Sequence, residues 1–280
     1  MTPVEAICGT VTHETVAEML EAPPTTLPAE LGFRSGARGT HTSRTMMMSE
    51  LASILQAIPE DASLADYRAA ITEKNVLAKK TASNRRLTAQ RLSEVYGLDA
   101  AVHLFRHLRF FWELDDEGQP LLACLCANAR DPLLRMTASR VLSARIGEVV
   151  TSAELEEAVE ASASSRFNLP TRSKIARNAL SSWTQSGHLE GRRPKKRRHP
   201  VVTPANTAYA LLLGYLSGSR GPMLFNTFWT GLLDAPTEEL HTMTAEASRR
   251  EWLDYRRLGT VVEVSFNGLL TQREKDALHG

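Results

Sequence analysis

The sequence predicts a mainly α-helical protein: a helical bundle, a winged-helix unit of three helices and a β-hairpin wing, and a further helical C-terminal segment containing one strand. Three observations predict it. The helix formers Ala, Leu, Glu and Arg recur throughout the 280 residues, while runs of alternating Val, Ile and Thr are scarce. Apolar residues return at helical spacing between recognisable caps and stops. From Asp131 onward, three capped helical stretches are followed by two short apolar segments that flank a basic turn. A hydrophobic content of 42% with 23% charged residues fits a globular chain, long enough for more than one core.

Residues 1–42 are expected to be loosely ordered, because "APPTTLPAELG" and "FRSGARGTHTSR" are rich in breakers. Residues 43–130 form the expected bundle. "SRTMMMSELASILQAI" sets Met47, Leu51, Ile54, Leu55 and Ile58 on one stripe. "SLADYRAAITEKNVL" and "TASNRRLTAQRLSEVYG" follow, the second stopped by Gly97. "DAAVHLFRHLRFFWEL" is expected to start at a capping Asp99 and to be buried on most faces. The turn "DDEGQP" then leads into "LLACLCANA".

Residues 131–204 form the expected winged-helix module. Its first helix, "DPLLRMTASRVLSARIG", runs from an N-cap Asp131 and a first-turn Pro132 to Gly147. The second opens on Thr151 and Glu154 at capping-box spacing. The third runs from Pro170 to Gly187, and the wing strands are expected around Leu189 and around Val201 and Val202. Residues 205–280 return to helices, with "TVVEVSF" as the clearest strand of the chain.

The formal charge of +1 conceals a local concentration. Arg166 through Arg198 hold ten basic residues against Glu190 alone, and six of the seven residues from Arg192 to Arg198 are Lys or Arg. Like charges this close repel one another, so clustering them opposes compactness unless a polyanion arrives. On the third helix Ile175, Ala179 and Trp183 form an apolar stripe, with Arg172, Lys174, Arg177, Asn178, Ser181 and Gln185 directed largely the other way. Arg and Asn or Gln forks match base edges, and Lys and Ser suit phosphates.

The expected partner is therefore double-stranded DNA, held by Arg172, Lys174, Arg177, Asn178 and Ser181 of the helix. Arg192, Arg193, Lys195, Lys196, Arg197 and Arg198 of the wing would complete the grip. With four to six phosphate contacts from the wing, the slope of log affinity against log salt would be about −4 to −5. A second basic stretch, with Lys79, Lys80, Arg85 and Arg86, extends the expected footprint. The alternatives are a basic hairpin that docks an acidic protein, a winged-helix transcriptional repressor, and "PKKRRHP" as a nuclear import signal.

Catalytic and metal chemistry are not expected. The candidate ligands His103, His107, Cys124 and Cys126 include a Cys-x-Cys in place of the usual Cys-x-x-Cys, and "LLACLCANA" reads as core. No phosphate-binding Gly loop, nucleophile elbow or HExxH motif occurs, and Cys8 stands alone. No cofactor is expected. Three oddly spaced cysteines make a reducing cytoplasm the expected location, and "AYALLLGYL" is too short to span a bilayer, so no membrane partner is expected.

Three segments resemble BrxA, a small DNA-binding family of bacterial BREX phage-defence systems. "SRTMMMSELASIL" is similar to the family's polar lead into its first long helix. "NVLAKKTASNRRLTAQRLS" resembles its Lys-Lys, Ser/Asn and Arg-rich helix, and "TRSKIARNALSSWTQSGHLEG" its helix that leads into the hairpin. The resemblance implies a non-enzymatic helical protein with a winged-helix part, acting with a methyltransferase and other BREX proteins.

Overall fold

A computed structural model describes residues 27–36, 38–163 and 166–278; Cys8, with the rest of residues 1–26, lies outside them. Among the described residues helices dominate, and the sheet content is two small two-stranded sheets. The first part of the chain forms α1 (Met48–Ala57), α2 (Leu64–Thr72), α3 (Ala82–Tyr96), α4 (His103–Leu114) and α5 (Gln119–Arg130). Local sequence explains most of the boundaries. Ser63 and Asp66 form a reciprocal capping box on α2, and Thr81 caps α3 through the Asn84 N–H. Gly97, at φ 90°, ends α3 in the left-handed conformation that favours glycine. Asp99 does not cap α4. It accepts the Ala101 N–H at 2.9 Å, closing a turn ahead of the helix, which begins at His103.

The stretch expected as one helix from Asp131 to Gly147 is two: α6 (Pro132–Arg135) and α7 (Ala138–Ser143). Between them the Thr137 hydroxyl donates to the Leu134 carbonyl at 2.7 Å and accepts the Trp183 indole N–H at 2.8 Å. The break serves a tertiary contact. Next come α8 (Ser152–Ala163) and α9 (Leu169–Gln185), then β1 (Leu189–Glu190) and β2 (Lys196–Arg197). Thr151 and Glu154 form the expected capping box, and Asn168 caps α9 through the Thr171 N–H.

The antiparallel β1–β2 pair has a third neighbour. Val149 bridges Lys196, Val150 donates to the Lys195 carbonyl at 3.0 Å, and Arg197 donates to the Glu148 carbonyl at 2.8 Å. Thus the segment before α8 pairs with the outer edge of the wing. The second strand also differs from expectation: it lies within the basic run, whereas Val201 is exposed and Val202 packs half-buried from a loop.

The remaining chain forms α10 (Pro204–Leu216), α11 (Phe228–Gly231), α12 (Thr237–Arg249), β3 (Asp254–Leu258), β4 (Val261–Ser265) and α13 (Gln272–Ala277). The expected single strand is one arm of an antiparallel hairpin, because "DYRRL" pairs with it from Asp254↔Ser265 to Leu258↔Val261. Helix α10 is apolar on every face and buried from Ala205 through Gly214, which puts it at the centre against α4 and α5. The Tyr209 hydroxyl, on α10, donates to the Leu104 carbonyl of α4 at 2.9 Å.

A buried apolar cluster extends from Leu31 to Leu270 and includes Leu134, Trp183 and Leu189. The bundle, the wing unit and the C-terminal segment therefore share this cluster, while Leu133, Val159 and Ile175 form a second, smaller buried cluster within the wing unit. Of the segment expected to be loosely ordered, the described residues include buried side chains: Leu31, Phe33, Thr40 and His41 are buried, with Thr40–His41 wedged between α3 and α9. Among the described residues no helix is long and apolar enough to cross a membrane.

Candidate nucleic-acid interface

Helix α9 divides as its sequence pattern requires. Ile175, Ala176, Ala179 and Trp183 are buried against α8 and the core, while Lys174 and Arg177 are exposed. Two of the expected reading residues are otherwise engaged. Arg172 pairs with Glu160 of α8, and Asn178 donates its side-chain amide to the His41 carbonyl at 2.8 Å. Ser181 is half-buried and accepts from Gln185, whose own side-chain oxygen takes the Met48 N–H at 3.0 Å. The exposed face of α9 thus offers Lys174 and Arg177, with Ser181 at its edge.

The wing meets that face. Lys195 Nζ donates to Thr184 Oγ1 at 2.6 Å, and partial burial lowers the pKa of this amine. Thr184 follows Arg177 by seven residues, which is within about 20° of two full turns and about 10 Å along the axis. A ligand lying along this side of α9 can touch Arg177 and the wing together.

The six wing cations are not equivalent. Arg197 is 1% exposed and pairs with Asp234, Nη2 to Oδ2 2.7 Å; it also donates to the carbonyls of His188, at 3.2 Å, and Arg198. Strand alternation is the cause: in β2 Lys196 points outward and Arg197 inward. Arg198 is exposed, 3.6 Å from Glu190. Arg192, Arg193 and Lys196 are exposed and carry no ion pair among the described residues. Free positive charge therefore sits at the tip and on alternate strand positions.

Of the second basic stretch, Lys79 pairs with Glu50 at 2.9 Å, and Arg85 is half-buried. Lys80 and Arg86 are exposed. Arg86 lines a cleft beside α3.

Two polar constellations that the sequence does not signal lie beneath this surface. His188 packs edge-on against Trp183 and donates Nε2–H to the Leu232 carbonyl at 2.8 Å; its other ring nitrogen faces the Ser186 hydroxyl. Burial, aided by the neighbouring Arg197 charge, pushes its pKa down to about 3, so the ring is neutral. Elsewhere His41 Nδ1 lies 2.7 Å from Asp131 Oδ2 and its Nε2 lies 2.8 Å from Ser182 Oγ. The chain of hydroxyl, imidazole and carboxylate is that of a hydrolase triad. Yet all three residues are at most 1% exposed, and Ser182 Oγ is already engaged by the Met46 N–H and the Asn178 carbonyl. The trio is enclosed and ties His41 and Met46 to α9.

The candidate ligands weighed for zinc, His103, His107, Cys124 and Cys126, are all buried. His103 and His107 face the buried carboxylate of Glu274 on α13, at 2.9 and 2.7 Å, and Arg106 completes the set. Hydrogen bonding from the two imidazole rings and from the Thr271 N–H holds the Glu274 carboxyl far below the usual carboxylate range despite its burial. Cys124 and Cys126 are buried free thiols, pushed up by burial to about 12 and about 11. Among the described residues no group of three or more His, Cys, Asp or Glu side chains is arranged to hold a metal ion.

Compared with known proteins, the sequence matches no family model and no curated protein.

Proposed function

We propose that this chain is a non-enzymatic double-stranded DNA-binding protein that uses α9 and the wing, and that it serves a bacterial phage-defence system of the BREX type. The observation that carries the DNA-binding reading is the Lys195–Thr184 contact, which joins the basic wing to the face of α9 bearing Lys174 and Arg177. A duplex presents one negative charge per about 1.7 Å of axis, so a surface with several unpaired cations over two helical turns suits it. Lys174, Arg177, Arg192, Arg193 and Lys196 are the contacts of this reading, with Arg198 beside them; Lys80 extends the footprint. Arg172, Asn178 and Arg197 act by holding the unit together. The defence assignment rests on the likeness of three segments to BrxA, which also makes a methyltransferase and other BREX proteins the expected partners. A reducing cytoplasm fits the free thiols of Cys124 and Cys126.

Fluorescence-anisotropy titration of a labelled duplex over a range of KCl concentrations tests the reading. With three to four wing contacts, the wing contributes about −2.7 to −3.6 to the log–log salt slope. Changing Arg192, Arg193 and Lys196 together to Ala should flatten the slope by about 2.7 and weaken binding on every sequence. Identical affinity and slope for parent and variant would remove the wing from the mechanism.

A further inference from the structure

A cleft of about 720 Å³ opens between α2, α3, the C-terminal end of α5 and the segment at Arg34. Four arginines line it: Arg34, Arg68, Arg86 and Arg130. Among the described residues none of the four lies within ion-pair distance of a carboxylate. Arg34 donates to the Glu94 main-chain carbonyl at 3.2 Å, and Arg130 to the carbonyls of Gly32 and of Ser93. Arg68 and Arg86 are exposed, and their guanidinium groups have no hydrogen-bonding partner among the described residues.

Among the described residues Glu94 is the one acidic residue in the lining, and it is already satisfied. Arg91 Nη1 at 2.7 Å and Thr40 Oγ1 at 3.1 Å take one of its oxygens, and Gln90 at 2.9 Å takes the other. The cleft therefore keeps its four positive charges uncompensated.

The arrangement is also built. Arg130 and Val102 pack against Gly32 and Gly97, both at positive φ; a Cβ on Gly97 would lie 2.9 Å from Val102 Cγ1 and 3.2 Å from the Arg130 Cζ, and one on Gly32 2.7 Å from Val102 Cγ1 and 3.3 Å from the Arg130 Nη1. Arg34 and Arg130 line the same cleft, and burial together with the charge of Arg34 depresses the pKa of Arg130. Planar guanidinium forks match phosphate oxygens two at a time. The volume falls in the range of small-molecule sites, and a nonbonded face is supplied by Leu64 and Leu87.

We propose that this cleft binds a small phosphorylated molecule, its phosphoryl oxygens held by Arg68 and Arg86 at the rim and by Arg34 and Arg130 at the base. The site is separate from the wing and does not depend on the DNA-binding reading.

Isothermal titration of the full chain with pyrophosphate and with orthophosphate tests it. Pyrophosphate should bind, and more tightly than orthophosphate, because it spans rim and base. Arg68→Ala with Arg86→Ala should weaken binding by more than about tenfold, since each removes a charge-assisted pair of bonds. Arg86→Lys, which keeps the charge and loses the fork, should fall between. Both side chains are exposed and unpaired, and circular dichroism checks that the variants are folded. The triple variant of Arg192, Arg193 and Lys196 should bind pyrophosphate as the parent does. Three results overturn the proposal: no heat from the parent up to roughly 10 mM pyrophosphate, undiminished binding in the double variant, or equal loss in the wing variant. A short duplex titrated in parallel separates the sources: if the double variant loses duplex binding and the parent ignores pyrophosphate, the cleft is part of the nucleic-acid surface and the small-ligand proposal fails.

Discussion

Replacing Arg197 by Ala separates the two things a basic wing residue can do. Its guanidinium is 1% exposed, bonded to a carboxylate that is itself only 10% exposed, with two carbonyl groups as further acceptors. Removing it leaves Asp234 with His199 alone, at 2.7 Å, on a ring that is 61% exposed. Breaking a buried pair from one side costs about 3–5 kcal/mol, because the surviving charge remains in a poorly solvated place. Asp234 keeps one partner and a little solvent, so the lower end, about 3 kcal/mol, is expected.

For a chain of this size that corresponds to a fall in Tm of roughly 6–12 °C. Arg192→Ala and Lys196→Ala, on exposed and unpaired side chains, should change stability by less than about 0.5 kcal/mol. Urea unfolding followed by tryptophan fluorescence reads the difference, with Trp183 close to the pair through His188. The double change Arg197→Met with Asp234→Leu should recover much of the loss, since no charge is then stranded. An Arg197→Ala midpoint equal to that of Arg192→Ala would refute the argument and return Arg197 to the pool of ligand contacts.

Two further outcomes follow from the buried polar groups. Burial holds His188 at about 3 in the folded chain against an ordinary value near 6.5, so its stabilising contribution is complete above the ordinary value and lost progressively as pH falls from there toward about 3. At pH 5 the unfolded state gains about 2 kcal/mol from this proton; His188→Gln should remove that part of the pH 8 to pH 5 decline in urea stability, and an unchanged decline would contradict the assignment. Ser182→Ala should cost roughly 1–3 kcal/mol by stranding buried partners, while the parent should resist a fluorophosphonate serine probe; labelling at Ser182 would show that the buried trio is reactive.

The contrast between these sites shows what local sequence can and cannot carry. The stripe of Ile175, Ala179 and Trp183, the box of Thr151 and Glu154, and the stop at Gly97 depend on neighbours within a turn or two, and each is legible. Arg197 is not. Its burial depends on Glu148 and Val149 on one side and on Asp234, distant along the chain, on the other. In a run made almost wholly of Lys and Arg, the two-residue period of a strand has no hydrophobic alternation to reveal it. The same holds for His41, whose partners Asp131 and Ser182 lie 90 and 141 residues away, and for Asp254–Leu258, where charged residues on an exposed strand mask the pairing. Counting cations in a sequence therefore overstates the charge available to a partner. Alternation buries Arg197, helix packing consumes Arg172, and the hydrogen bond to Thr184 of α9 restrains Lys195. What remains free is set by tertiary pairing, so the salt slope measured on the intact chain, and not the length of the basic run, is the quantity that tests how the wing works.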